Sequence, residues 1–226
     1  MTKNNKNNNT GNHKDRYRLA SEHLAKIDAD WAQLIITLGM CTHLPKPERD
    51  PYEALVRAVA YQQLHARAAD AILGRLLALY QQRFPTAEEL QSAEEELLRS
   101  CGFSRRKIVT LKAIAEAALS GLIPCRSLAD KMTDEELILR LTSLPGIGRW
   151  TVEMLLIYTL ERLDIFPLDD FGVRNGYRKL KSLKDLPSRK MLQQVGLACS
   201  PYGTIAAWYL WRASALTDDK KTLENL

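Results

Sequence analysis

The sequence predicts an all-α protein, and three observations carry that expectation. Apolar residues recur at steps of three and four, as in Leu24, Ile27, Trp31, Leu34, Ile35 and Leu38, which puts them on one helical face. Helix-start signals are frequent: Asp50-Pro51-x-Glu53, Thr86-x-x-Glu89 and Thr133-x-x-Glu136 each set a capping side chain ahead of a first turn carrying Pro or an acidic residue. No series of alternating apolar and polar residues joined by hairpin turns occurs, so no sheet is predicted. The pattern corresponds to about nine or ten helices without an internal repeat.

Taken in order, Met1 to about Arg16 is rich in Asn and Lys with almost nothing to bury, and disorder is expected there. The helical period begins after it. A helix starting near Pro51 ends at Gln62-Gln63-Leu64. Thr86 opens another, and Gly102 and Gly121 read as stops. Thr133 with Glu136 starts a short helix ending near Leu141; Pro145, Gly146 and Gly148 break the chain, and Thr151 to Leu160 is helical again. After Phe166-Pro167-Leu168-Asp169-Asp170 a further helix runs from about Phe171 to Leu180.

At 226 residues the chain is long enough for one sizeable core or two small lobes. A formal charge of +5 suits a nucleic-acid partner and many other soluble proteins alike. Cys41, Cys101, Cys125 and Cys199 are scattered without ligand-like spacing, so neither a zinc site nor an iron-sulfur cluster is suggested, and they read as reduced and inert. The chain lacks a membrane-length apolar run and a signal-peptide core, and a cytoplasmic protein without membrane association is expected.

The most informative stretch is Leu144-Pro145-Gly146-Ile147-Gly148-Arg149-Trp150 between two helices, a helix-hairpin-helix over about residues 134–160. Gly146 and Gly148 lack a Cβ, so the chain turns tightly and another backbone can approach, while the amides opening the next helix face outward as anion donors. An isolated G-x-G is an ordinary turn signal. Here the charge is basic, Arg149 follows directly, and Asp169 and Asp170 come about twenty residues later behind an apolar helix. A DNA phosphate is the natural ligand.

On these residues the chain resembles the DNA-3-methyladenine glycosylase II family of helix-hairpin-helix DNA glycosylases. The likeness runs from Asp50 to Arg212 and is carried, in the family's order, by Tyr61-Gln62-Gln63-Leu64, Leu144 to Trp150, Phe166 to Asp170, and Pro201-Tyr202 with Ala206 to Arg212. The resemblance implies two helical lobes around a cleft, with residues 50–163 inserted between the parts of a lobe made by 17–49 and 164–226. No N-terminal β domain is expected. It also implies a double-stranded DNA partner containing alkylated bases, and a monomeric enzyme that flips the target base out of the stack and excises it in base excision repair.

Cleaving a purine from deoxyribose builds positive charge on the sugar, and a fixed carboxylate stabilises it and orients water. Asp170 is the catalytic candidate, because the family's carboxylate is the second of the pair; it also stands where it caps the next helix, a position that favours negative charge. Lyase-competent relatives carry a lysine nucleophile after the hairpin, where this chain has Trp150, so monofunctional hydrolysis is expected; Lys179 and Lys181 do not match that position. By the same resemblance Trp150, Phe171, Trp211 and Met154 line the base pocket, where stacking favours a cationic purine by roughly 0.5–2 kcal/mol.

Leu64 would be inserted where the flipped base was, with Gln62 and Gln63 on the wedge loop and a glutamine facing the opposite strand. Gly146, Gly148, Arg149 and Thr151 would hold the DNA backbone. The family's hairpin often binds Na+ or K+ through backbone carbonyls, here Thr142, Leu144 and Ile147; no other cofactor is implied. The chain departs from the family's pattern at His65, Met154 and Gly203. Two other readings remain open from the sequence: a non-catalytic helix-hairpin-helix DNA-binding protein, which has no need of Asp170, and a glycosylase for another lesion such as hypoxanthine.

Overall fold

Tyr17, Ala20 and Leu24 recur on one helical face and are buried, so the chain's first helix forms by docking that face onto a core. The computed structural model describes residues 7–216, and they are helical, without a strand. They fall into two units: the chain up to Leu44 together with that from Leu163 on, and Pro45–Arg162.

The first unit comprises α1 (Asn7–Ala25), α2 (Ala29–Leu38), α11 (Phe171–Leu180), α12 (Arg189–Cys199) and α13 (Gly203–Ala215), helices being numbered along the chain. The apolar run from Leu24 to Leu38 is two helices, because Asp28 intervenes and accepts hydrogen bonds from the amides of Asp30 and Trp31, capping α2. Gly203 to Leu210 is buried throughout, which makes α13 the central helix. The Tyr209 hydroxyl bonds the Gly39 carbonyl at the end of α2 and the Ser21 hydroxyl on α1, both at 2.9 Å.

The expected disordered tail is corrected in part. α1 begins at Asn7, since the docked face nucleates a helix that the preceding residues extend at little cost. Met1 to Lys6 lie outside the described residues.

The second unit contains α3 (Pro51–Tyr61), α4 (Ala66–Leu79), α5 (Ala87–Ser92), α6 (Glu95–Ser100), α7 (Arg105–Leu119), α8 (Arg126–Ala129), α9 (Asp134–Leu141) and α10 (Arg149–Tyr158). α3, in which Leu55, Val56, Val59 and Ala60 are buried, packs against both α7 and α10, and α9 packs on α10. The capping boxes at Thr86 and Thr133 form with both hydrogen bonds present, and Gly102 and Gly121 take positive φ just past helix ends. The described residues hold thirteen helices and not nine or ten, because α5, α6 and α8 have six, six and four residues, too few to show a hydrophobic period. None of the described helices is long and apolar enough to cross a membrane.

Candidate active site

In the second unit the chain leaves α9 at Thr142, turns through Pro145, and enters α10 at Arg149. The turn closes with the Ile147 amide donating to the Leu144 carbonyl at 3.1 Å. The two glycines have different jobs. Gly146 takes φ +79°, and a Cβ there would overlap the Thr110 hydroxyl of α7, so it serves the protein's own packing. A Cβ on Gly148 would meet nothing within 4 Å, which leaves that face open to an approaching backbone. α10 starts without a side-chain cap, so its first amides suit an external anion.

Arg149 and Thr151 both have partners within the protein. The Arg149 guanidinium pairs with Glu135 at 2.7 Å and with buried Glu153 at 3.0 Å, and its hydrogen bonds to the Glu135 carboxylate raise its already high pKa. A phosphate would have to compete with two carboxylates for it. Thr151 is 1% exposed and its hydroxyl accepts from Gln62, so its side chain is turned into the protein.

The wedge loop joins α3 to α4. Leu64 is exposed, Gln63 is exposed with φ +56°, and His65 is the N-cap of α4 but makes no capping hydrogen bond. Gln62, on the same loop, turns its side chain inward to the hairpin, which leaves Gln63 as the exposed glutamine of the pair. Trp150 and Met154, four residues apart, share a face of α10, and both are partly exposed.

In the first unit Asp170 is the N-cap of α11, as its place after Pro167 implied. Its Oδ1 accepts from the Val173 amide and from the Trp211 indole Nε1–H of α13, each at 2.8 Å. Two donors on one oxygen fix the plane of the carboxylate. Phe171 beside it is 67% exposed, an unusual state for a large aromatic, and Trp211 is half-buried. Asp169 instead pairs with Arg189 at the surface.

Two residues that the sequence reading passed over set this geometry. Gly172 and Gly176 lie on one face of α11 against α13. A Cβ on Gly172 would sit 2.7 Å from Trp211 Cδ1 and 3.1 Å from Asp170 Oδ1, and one on Gly176 would overlap the Leu210 carbonyl. The close approach of the two helices brings the indole to the carboxylate. The signal was present as Gly-x-x-x-Gly, since i and i+4 share a face. Gly203 is also packed tightly: its amide donates to Asp164 at 3.0 Å, and a Cβ would meet Asp164, Ile165 and Phe166 at 3.1–3.2 Å.

The lysines considered as amine nucleophiles are engaged elsewhere. Lys179 donates to the Leu216 carbonyl, and Lys181 to Asp28 at 2.7 Å and Asp30 at 2.6 Å. Burial opposes its charge, but the two carboxylates outweigh that and hold Lys181 above the ordinary lysine range. Among the described residues, no cluster of His, Cys, Asp and Glu could hold a metal ion.

A helix-hairpin-helix with an open glycine, followed by a carboxylate capping the next long helix, defines a DNA-processing class built on this motif. The chain belongs to the HhH-GPD superfamily of base excision DNA repair proteins, whose model matches residues 56–199. DNA-3-methyladenine glycosylase 1 of Schizosaccharomyces pombe is 47% identical over 206 residues, covering 89% of this chain and 90% of that protein. The solved structure of 3-methyladenine DNA glycosylase (Mag1) from that yeast, in complex with abasic DNA, matches with a TM-score of 0.83 and 47% identity over 89% of this chain and 99% of that one. A DNA-3-methyladenine glycosidase from Bacillus halodurans matches with a TM-score of 0.75 and 32% identity, over 86% and 88% of the two chains.

Proposed function

We propose that this chain is a monofunctional DNA glycosylase of base excision repair that releases alkylated purines such as 3-methyladenine and 7-methylguanine from duplex DNA. The observation that carries the reading is Asp170, oriented by the Val173 amide and the Trp211 indole in a chain of this superfamily. An alkylated purine is cationic and departs with the electron pair of the C1′–N bond, becoming neutral as positive charge passes to the sugar. The pre-oriented carboxylate stabilises that charge without reorganising. Water adds to C1′ and gives its proton to Asp170 or solvent, leaving an abasic sugar in an uncut strand.

Water is the nucleophile because Trp150 stands where an amine would, and Lys181 is held protonated by its carboxylates. Phe171 and Trp211 offer aromatic faces next to Asp170, and α10 offers Trp150 and Met154; stacking adds roughly 0.5–2 kcal/mol for a cationic base. Selectivity then rests mainly on the leaving group. The open face of Gly148 and the uncapped amides of α10 receive phosphate, and Leu64 fills the vacated stack. The enzyme acts as a monomer.

Thr142, Leu144 and Ile147 would hold a Na+ or K+ ion. Three neutral carbonyl oxygens with no carboxylate suit a hard monovalent cation, and the Leu144 carbonyl uses one lone pair for the Ile147 amide and keeps the other. The ion would add positive charge for a phosphate.

The test is base release from methylated duplex DNA and from a hypoxanthine-containing duplex, for wild type and Asp170→Asn at matched salt. Release that disappears in Asp170→Asn, with strand breakage only after alkali, is expected. DNA binding without release by wild type would replace this reading with a non-catalytic clamp, and release confined to hypoxanthine would change the lesion.

A further inference from the structure

Gln62 is the C-cap of α3, and its backbone amide bonds back to Ala58 and Val59. Its side chain leaves the loop and reaches the helix-hairpin-helix: Nε2 donates to the Gly146 carbonyl at 3.1 Å and to the Thr151 hydroxyl at 3.0 Å. These acceptors belong to the hairpin turn and to the first turn of α10, the two pieces expected to meet phosphate. Both are firmly placed. Gly146 is backed by Thr110 of α7, and Thr151 is buried.

The loop that Gln62 begins is costly to hold in shape. Gln63 occupies left-handed backbone space that a side chain disfavours, and Leu64 is 41% exposed, its amide tied only one turn back to the Tyr61 carbonyl. The Tyr61 hydroxyl bonds Asp70 on α4 and closes the far side. Each hydrogen of one amide group is thus spent on a different segment of the hairpin. A glutamate cannot make both donations, a methionine makes neither, and asparagine is one methylene shorter.

We propose that Gln62 is a positioning residue that latches the wedge loop to the hairpin, so that the grip on the DNA backbone and the insertion of Leu64 occur as one rigid step. The proposal rests on the glycosylase reading above, with Leu64 as the inserted side chain. Without the latch the hairpin still binds phosphate, but Leu64 is no longer held at a fixed height above it. Loss therefore falls on binding of DNA that has a gap to fill, and not on binding of intact duplex.

The experiment is fluorescence anisotropy with a labelled duplex containing a tetrahydrofuran abasic site and with its undamaged counterpart. The proteins are wild type, Gln62→Met, Thr151→Val, Leu64→Ala and the Gln62→Met/Leu64→Ala double variant. Gln62→Met is expected to lower the preference for the abasic duplex by about tenfold, as for a misplaced contact, with undamaged binding unchanged. The double variant is expected to be no worse than the poorer single one, because the two changes remove the same event. Thr151→Val, which deletes one acceptor without changing shape, should move the same way by less, and it carries the test if Gln62→Met does not fold.

Retained preference in Gln62→Met and Thr151→Val, equal loss on both duplexes, or losses that multiply in the double variant would overturn the latch. In each case the effect of Leu64→Ala alone would still report on the wedge. A wild type that neither prefers the abasic duplex nor releases base would bring down the glycosylase reading itself, and the latch with it.

Discussion

The substitution Gly172→Ala tests whether the glycine seam of α11 places the catalytic carboxylate. The added methyl would lie 2.7 Å from Trp211 Cδ1, where ordinary contact is 3.4–4 Å, so the indole must retreat by about 0.7 Å or more. Its Nε1–H to Asp170 Oδ1 bond, now 2.8 Å, then stretches to about 3.5 Å and is effectively lost. A hydrogen bond to a charged group contributes about 1.5–3 kcal/mol. With that term acting on a carboxylate that must be in place at the transition state, kcat is expected to fall by about 10- to 100-fold. Overpacking should also lower stability by about 1–3 kcal/mol.

The assay is single-turnover base release from methylated duplex, with denaturant melts to correct for folded fraction. Gly74→Ala on α4, where a Cβ would meet nothing within 4 Å, is the control and should keep full activity. Trp211→Phe, which retains an aromatic face and removes the N–H, should reproduce the fall in kcat with little change in KM. A Gly172→Ala enzyme with wild-type kcat would refute the placement argument.

Two further outcomes concern charge and thiol chemistry. Burial pushes Asp28 up, but the Lys181 ammonium and the Trp31 and Asp30 amides outweigh it and hold the carboxyl below its usual value, while Lys181 is held above its own. The stabilisation from Asp28 is therefore lost as pH falls through its lowered value, and that from Lys181 as pH rises through its raised value. Lys181→Met should cost about 1 kcal/mol or less between about pH 5 and 9, less in high salt, and the difference should shrink in denaturant melts as pH falls through the lowered Asp28 value. Burial raises the Cys41 and Cys199 thiols to about 12 and also raises Cys101, whereas the Ser127 hydroxyl and the Leu128 amide lower exposed Cys125. Iodoacetamide at pH 7.5 followed by peptide mass analysis should find Cys125 modified first; earlier labelling of Cys41 would contradict its burial.

The sequence by itself determined the all-α class, because caps and glycine stops act locally: Thr133 with Glu136, Asp50 before Pro51, and Asp170 before Phe171 each start a helix through hydrogen bonds within four residues. The hairpin and the family likeness were legible for the same reason, being contiguous motifs whose chemistry resides in their own residues. Only the tertiary structure decided what distant segments do to one another. It bonded Gln62 to Gly146 and Thr151, tied Arg149 to Glu135 and Glu153, and gave Gly146 to Thr110 while leaving Gly148 open. It also joined the indole of Trp211 to Asp170, 41 positions apart, across a seam made by two missing Cβ atoms. A hydrogen bond depends on tenths of an ångström between groups that packing brings together, and the order of residues along the chain carries no such distance.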